Sequence, residues 1–540
     1  MQPSLRPPAA WRHHPFAARV LVVLFCTGLV LPGGLALIGA GDPDAVAFEF
    51  RRPAPAPQWN RSVASWRAFP RGFESYFGDR YALRSELLSL RARLHWNLLG
   101  SSPSPLVVRG KDDWIFLTAS HALPNAAGKV PMTFAEVDNF LAAAKRRRDL
   151  LAQRGIHYLF AFVPEKSSVY PEFLPWNHVR KGQRRVDQIM ERAAELGLDF
   201  VLDTTDAVVA AKDVDGVRED DYTFFPLGTH WTSRGAAAAG RAIADRWAAA
   251  GLPARLPDPS ELRFVHVPNG ISDLWDTRLY LVGAVGQETY EGIWSRGRAA
   301  EPGESIEAAR AAMWRRPGAP AKKLLVFHDS NGPAVQPTLA TAFQESRWEW
   351  RRYEQQSVEE FEPEAVLELF SERHLLMSLP YQDDPAAQPD LARLFAQAEP
   401  PALTVEPSDW SERLEPENGA RLLLDAPGYP GLAVLVFEGR EGYFRLQLPE
   451  LETGRDWILR LDCAARSDGA VGVTYTWRSA GDVYPIESNH AQRFSLASGN
   501  QSVYIHLSHQ RVGTEVGLST GGTPRALRID RLEARALPHR

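Results

Sequence analysis

Four regimes of hydrophobic and polar spacing follow one another along this chain, and each predicts a different kind of structure. The first is a charge-free run from Val20 through Gly41, VLVVLFCTGLVLPGGLALIGAG, long enough to cross a bilayer as a helix. Pro32, Gly33 and Gly34 would weaken a helix in a soluble core, so a membrane-crossing segment is the better reading. Arg6, Arg12 and Arg19 precede the run, while Asp42, Asp44 and Glu49 follow it. By the positive-inside tendency, residues 1–19 form a cytoplasmic tail and the body lies outside. Ile38, Gly39 and Ala40 make a poor cleavage site, and Cys26 follows Phe25 rather than a small residue, so an uncleaved signal anchor over 20–41 is expected.

Pro53, Pro55 and Pro57 then predict a stiff spacer over 42–65 that holds the body off the membrane. From Trp66 to Leu99, aromatic and leucine residues recur at helical spacing among arginines, the pattern of an amphipathic helix packed on a main domain or docked on a membrane surface. The third regime alternates helices and strands. Thr133 and Glu136 form a capping-box pattern, and Val137, Phe140, Leu141 and Ala144 make one apolar face until Gly155 ends the helix. Ile156 to Val163 is an almost continuous apolar run, as in a strand covered on both faces. Helices are expected at 186–196, 234–250 and 337–343, and strands at 200–202, 324–327 and 365–369. That order predicts a doubly wound parallel α/β sheet within residues 66–380. A Pro- and Asp-rich stretch over 381–415 reads as a linker. In the fourth regime, short alternating segments between turn residues over 416–540 predict a C-terminal β-sandwich.

Bulk composition narrows the chemistry. With 540 residues, 44% hydrophobic, 24% charged and a net charge of -5, the chain fits two folded domains and gives no reason to expect nucleic-acid binding. Its two cysteines, Cys26 and Cys463, lie too far apart in character to suggest a disulfide framework. Histidines show no ligand spacing and no Gly-rich phosphate loop occurs, so neither a metal nor a cofactor is expected.

Two motifs suggest catalysis. In LLVFHDSNGPA an apolar strand runs into Asp329, Ser330 and Gly332. A strand-end serine beside a sharp turn is presented to substrate, with backbone N–H groups near it. In PLGTHWTSRGA, His230 precedes a helix capped by Thr232 or Ser233. Serine needs a base, and His230 is the best placed by sequence order. The same residues also fit a plain turn and a structural histidine.

At these motifs the chain resembles the alginate O-acetyltransferase family of AlgJ/AlgX type, with its SGNH-hydrolase-like domain. VVRGKDDWIFL at 107–117, FVPEKSSVYPEFLP at 162–175 and FPRGFESYFGDRYALR agree with further family motifs in the same order, so the likeness spans most of Phe69 to Leu376. It implies transfer of acetyl onto Ser330 and then to hydroxyls of an exported polysaccharide, with His230 as general acid/base. It also implies a multi-pass membrane acyltransferase as acetyl supplier, and a catalytic body in the periplasm, anchored in a bacterial inner membrane. Where the family motif has aspartate two residues before the histidine, this chain has Gly228. Asp203, Asp206 or Asp221 then remain as carboxylate sources, beside a Ser–His dyad or lost catalysis, while Asp329 fits an Asx turn. Lys166 and Tyr170, just after a strand, are candidates for substrate binding. Arg373 fits an ion pair with Glu368 or Glu372, and Trp231 fits packing. The sandwich resembles jelly-roll carbohydrate-binding modules, with Tyr475, Trp477 and Tyr484 as stacking candidates. A carbohydrate esterase or deacetylase, or a non-catalytic glycan-binding scaffold of an export complex, are the alternatives.

Overall fold

A computed structural model describes residues 15–37, 53–57, 63–118, 122–132, 134–175, 178, 180–212, 222–258, 261–270, 287–294, 300–306, 311–377, 388–417, 420–424, 432–437, 442–448, 451, 456–478, 487–507, 512–520 and 525–537. The chain divides into two units, Met1–Ser104 with Ile271–Gly286, and Pro105–Gly270 with Gln287–Arg540.

In the first unit, helix α1 (Pro15–Leu37) contains the apolar window Arg19–Ala36, long enough to cross a membrane and fit for a single-pass anchor or a signal sequence. Helices α2 (Val63–Arg80) and α3 (Arg84–Arg93) follow, the latter running into a π-helical turn, Leu94–Leu98. The amphipathic segment thus groups with α1, where the sequence had suggested a lead-in to the α/β domain. The prolines do not form a free-standing spacer either. The Ala54 N–H donates to Asp79 (2.7 Å), Arg80 donates to the Ala54 carbonyl (2.6 Å), and Pro57 packs beside Gly72. A proline stretch has few internal hydrogen bonds, so the charged end of α2 captures it.

The second unit holds a seven-stranded sheet. Its strands are β1 (His157–Val163), β2 (Val201–Asp203), β3 (Glu301–Ile306), β4 (Ala311–Arg315), β5 (Ala321–His328), β6 (Phe343–Glu349) and β7 (Ala365–Ser371), in the spatial order β2-β1-β7-β5-β6-β4-β3. The first five of that order are parallel, while β4 and β3 extend the sheet as an antiparallel hairpin. The expectation of a wholly parallel sheet is corrected to that extent, because only a few residues separate β3 from β4 and a parallel crossover needs about a dozen. Helix α4 (Phe134–Ala152) leads into the sheet, α5 (Lys166–Val169), α6 (Arg185–Glu195), α7 (Thr205–Ala210), α8 (Ser233–Ala249), α9 (Gly332–Leu339) and α10 (Gln355–Phe361) lie between its strands, and α11 (His374–Met377) follows the last. Gly155 does terminate α4: at φ +71° it lets the Ile156 N–H return to the Leu151 carbonyl (3.0 Å). Thr133 of the expected capping box lies outside the described residues.

The C-terminal part is a β-sandwich of two antiparallel sheets, with six and five strands. Its core is continuous with one face of the α/β sheet: Phe140, Phe160 and Phe370 belong to the same apolar cluster as Trp410, Phe444 and Ile505. Residues 381–415 are therefore more than a linker. They carry helix α12 (Gln388–Gln397) and the strand Leu403–Val405, which pairs with Ala526–Ala536 in the sandwich. Alternating burial along Leu403–Val405 supplies the reason: Leu403 and Val405 both face the core.

Candidate functional site

Strand β5 lies between β7 and β6, and its residues from Leu324 to His328 are buried, so the segment that follows emerges at the middle of the sheet's carboxyl edge. Asp329 organises this turn. One carboxylate oxygen accepts from the Asn331 N–H (2.8 Å) and Asn331 Nδ2 (3.1 Å), the Asx arrangement expected of it. The other accepts from the Ser371 N–H (2.8 Å) and Ser371 Oγ (2.7 Å), with His374 Nε2 at 3.2 Å. Burial opposes the charge on Asp329, but the His374 contact, the Arg373 charge and the Ser371 N–H outweigh it and hold the carboxyl far below the usual range. Burial also lowers the His374 pKa, against the pull of Asp329, so its imidazole is neutral near pH 7. Ser330 stands half-buried at the tip. Gly332 is required, because a β-carbon there would stand 2.1 Å from His328 Nδ1, which itself donates to the Asp329 carbonyl (2.7 Å).

The second loop runs from Thr223 to Thr232. Phe224 and Trp231 form a β-bridge, the Phe225 N–H donates to the His230 carbonyl (3.1 Å), and the Thr232 N–H donates to the Thr223 carbonyl (2.9 Å). Thr232 then caps α8 by accepting from the Gly235 N–H. His230 is half-buried, with Nδ1 3.3 Å from Thr229 Oγ1. Trp231 is fully buried, as expected of a packing residue, and does one thing more. Its indole N–H donates to the Asn331 carbonyl (3.0 Å), tying the residue after His230 to the residue after Ser330.

Lys166 sits beneath this loop. Its ammonium donates to the carbonyls of Phe225 (2.9 Å), Pro226 (2.8 Å) and Gly228 (2.7 Å) and lies over the rings of Trp114 and Phe116. Three N–H groups on three carbonyls leave the ammonium without a donor for a ligand, so this side chain clamps the histidine loop. Tyr170 is likewise buried: its hydroxyl accepts from the Thr223 N–H (2.8 Å), meets Thr223 Oγ1 (3.1 Å), and its ring lies 4.6 Å from Trp114. Both residues thus support the backbone that carries His230.

Among the carboxylates suggested for His230, Asp203 is taken by Arg184 (2.9 Å) and the Thr205 N–H (2.9 Å). Asp206 lies on α7 and Asp221 lies outside the described residues. Arg373 binds both oxygens of Glu165 (3.0 and 3.1 Å), where Glu368 or Glu372 had been expected. Glu368 instead meets Arg147 and the Tyr158 hydroxyl. Glu372 is fully buried and accepts from the Glu165 N–H (2.9 Å) and Ser168 Oγ (2.6 Å), and burial raises its pKa. Glu165 and His374 were not legible as site residues in the sequence, and Glu372 was legible only as a partner for Arg373. A signal was available: ERH directly follows a strand that reads as wholly buried, so its charges had to find partners at the sheet edge.

Comparison with known proteins gives this site a context. Residues 107–265 match the model of the SGNH hydrolase-like domain of the acetyltransferase AlgX, a stretch that includes Lys166, Tyr170 and His230 and stops before Ser330. The probable alginate O-acetylase AlgJ of Pseudomonas syringae pv. tomato is 29% identical over 188 residues, which span 33% of this chain and 44% of that relative. Similar solved structures include the O-acetyltransferase domain of Pseudomonas putida AlgJ, with 19% identity over 50% of this chain and 93% of that one at a TM-score of 0.33. Pseudomonas aeruginosa AlgX matches with 13% identity over 80% of this chain and 94% of that one at a TM-score of 0.36.

Proposed function

Since the chain carries an SGNH hydrolase-like domain of the AlgJ/AlgX-like family, we propose that it is a polysaccharide O-acetyltransferase that works through an acyl-serine. Ser330 Oγ attacks the acetyl carbonyl while His230 Nε2 takes its proton and passes it to the departing group of the donor. A sugar hydroxyl then gives its proton to the same nitrogen and attacks the acetyl-serine, and the proton returns to Ser330 Oγ as the acetyl ester leaves on the sugar. Thr229 Oγ1 stands where a carboxylate would usually orient the imidazole. A neutral acceptor fixes the tautomer but stabilises the imidazolium weakly, so turnover is slow.

The observation that carries this reading is the Trp231 to Asn331 hydrogen bond, which fastens the loop of His230 to the loop of Ser330. With α1 as an anchor, the domain works on the outer side of a bacterial inner membrane, receives acetyl from a multi-pass membrane acyltransferase and modifies an exported polysaccharide. The test is incubation with an activated acetyl ester, with and without an acceptor oligosaccharide. Wild type is expected to yield acetyl-Ser330 by peptide mass spectrometry and acetylated oligosaccharide; Ser330→Ala yields neither. Acetate release that oligosaccharide leaves unchanged would assign an esterase instead, and equal product from Ser330→Ala would end the catalytic reading.

A further inference from the structure

Helices α2 and α3 carry large apolar side chains that stand exposed among the described residues. On α3 and at the first residue of the turn after it, Leu87, Leu90 and Leu94 fall within about 60° of arc at 3.6 residues per turn, and Leu90 and Leu94 are 54% and 48% exposed. The opposite side of α3 is the one turned inward, with Ala92 buried, and Trp96 is buried in the turn that follows. The leucine stripe is therefore the more exposed side of this helical segment. On α2, Trp66, Phe73 and Phe77 share one face and are exposed, and the rings of Phe69, Phe73, Phe77 and Tyr81 stack in a ladder along the helix.

The position of these helices along α1 decides what covers them. The Ala82 N–H donates to the Pro32 carbonyl (3.3 Å), and the Phe77 ring packs over Gly33, 3.4 Å from where a β-carbon would stand. Pro32 is four residues inside the end of the apolar window at Ala36, or about 6 Å along the helix axis. Amphipathic helices that lie in a membrane interface sink about 5–10 Å. If the window of α1 fills the hydrocarbon layer, the junction of α2 and α3 is held at that depth. The charges agree: residues 66–99 hold six arginines against Glu74, Asp79 and Glu86, in a chain of net charge -5. Arg91 on one flank of the leucine stripe and Arg93 on the other are both exposed.

We propose that α2, α3 and the turn after them lie in the outer interface of the bilayer that α1 crosses, with the leucine and aromatic faces in the acyl layer and the arginines among anionic lipid headgroups. The proposal rests on the membrane-crossing reading of α1. It makes the first unit a lipid-embedded platform rather than a helix on a flexible tether.

Spin labelling of the full chain in vesicles of phosphatidylethanolamine and phosphatidylglycerol tests it by comparing label collisions with oxygen and with a water-soluble nickel chelate. Cys26 is exposed in α1, whereas burial pushes the Cys463 thiol up to about 12, so a thiol reagent labels Cys26. That label reports on the anchor. In a Cys26→Ala background, Leu87→Cys, Leu90→Cys and Leu94→Cys report on the stripe. The expected result is oxygen collision exceeding chelate collision at all three sites, by less than at Cys26. Chelate collision dominating at the stripe, or shielding from both probes as under a protein partner, overturns the proposal while an oxygen-rich Cys26 leaves the anchor standing. A chelate-rich Cys26 would instead overturn the anchor itself.

Discussion

Replacing Lys166 by methionine separates a clamp from a substrate contact. The side chain keeps most of its length over Trp114 and Phe116 but loses three hydrogen bonds, to the carbonyls of Phe225, Pro226 and Gly228. A hydrogen bond from a charged group contributes about 1.5–3 kcal/mol. Gly228 is buried, so its carbonyl loses that amount outright. Phe225 and Pro226 are half-buried, and water replaces much of what their carbonyls lose. The net destabilisation is then about 3 kcal/mol, at the lower edge of the range for uncovering a fully buried charge. Urea unfolding followed by tryptophan fluorescence reads this as a lower midpoint with an unchanged slope. In acetyl transfer from a small activated ester to oligosaccharide, kcat falls because His230 is no longer held, while KM for the oligosaccharide stays within error. Unchanged stability together with a raised KM for the oligosaccharide would refute the clamp and restore Lys166 as a substrate ligand.

Three further outcomes follow from the same loops. Trp231→Phe keeps the packing but removes the bond to Asn331, so about 1 kcal/mol of stability is lost and kcat drops at constant KM; a full retention of kcat would show that this bond does not align the pair. Gly332→Ala drives a β-carbon onto His328 and destabilises by about 1–3 kcal/mol in thermal unfolding, and a wild-type melting temperature would contradict the close approach. The third concerns pH. Burial lowers the folded-state pKa of His374, so the unfolded chain binds the proton first, and stability contributed by the neutral imidazole is lost as pH falls through about 6.5. Asp329, depressed in the folded state by its partners, keeps its contribution until far more acidic pH. His374→Gln is therefore expected to flatten the decline of the urea midpoint between pH 7 and pH 5, and an unaltered slope would exclude His374 as its source.

Much of the site's frame is written locally in the chain. The run Ile156 to Val163 specifies a strand covered on both faces because it is apolar at nearly every position, and β1 occupies that stretch but for its first residue. Asp329 two residues before Asn331 specifies its Asx bond, Thr232 specifies a cap, and Gly155 specifies a helix stop, since each interaction closes within a few residues. The strand Phe343–Glu349 was hidden because only Phe343 and Trp348 in it are apolar: Ser346 and Glu349 are buried only by virtue of lying between β5 and β4. Periodicity records which side of an element is covered, not by what. Only the tertiary structure could assign Lys166 to three carbonyls about sixty residues away, Arg373 to Glu165, and the proline stretch to the end of α2, because the partner of a charge depends on which distant segments the sheet order brings to the same edge. The sequence by itself determined that a serine ends a buried strand and that a histidine precedes a helix; the fold decided that Trp231 and Asn331 join the two.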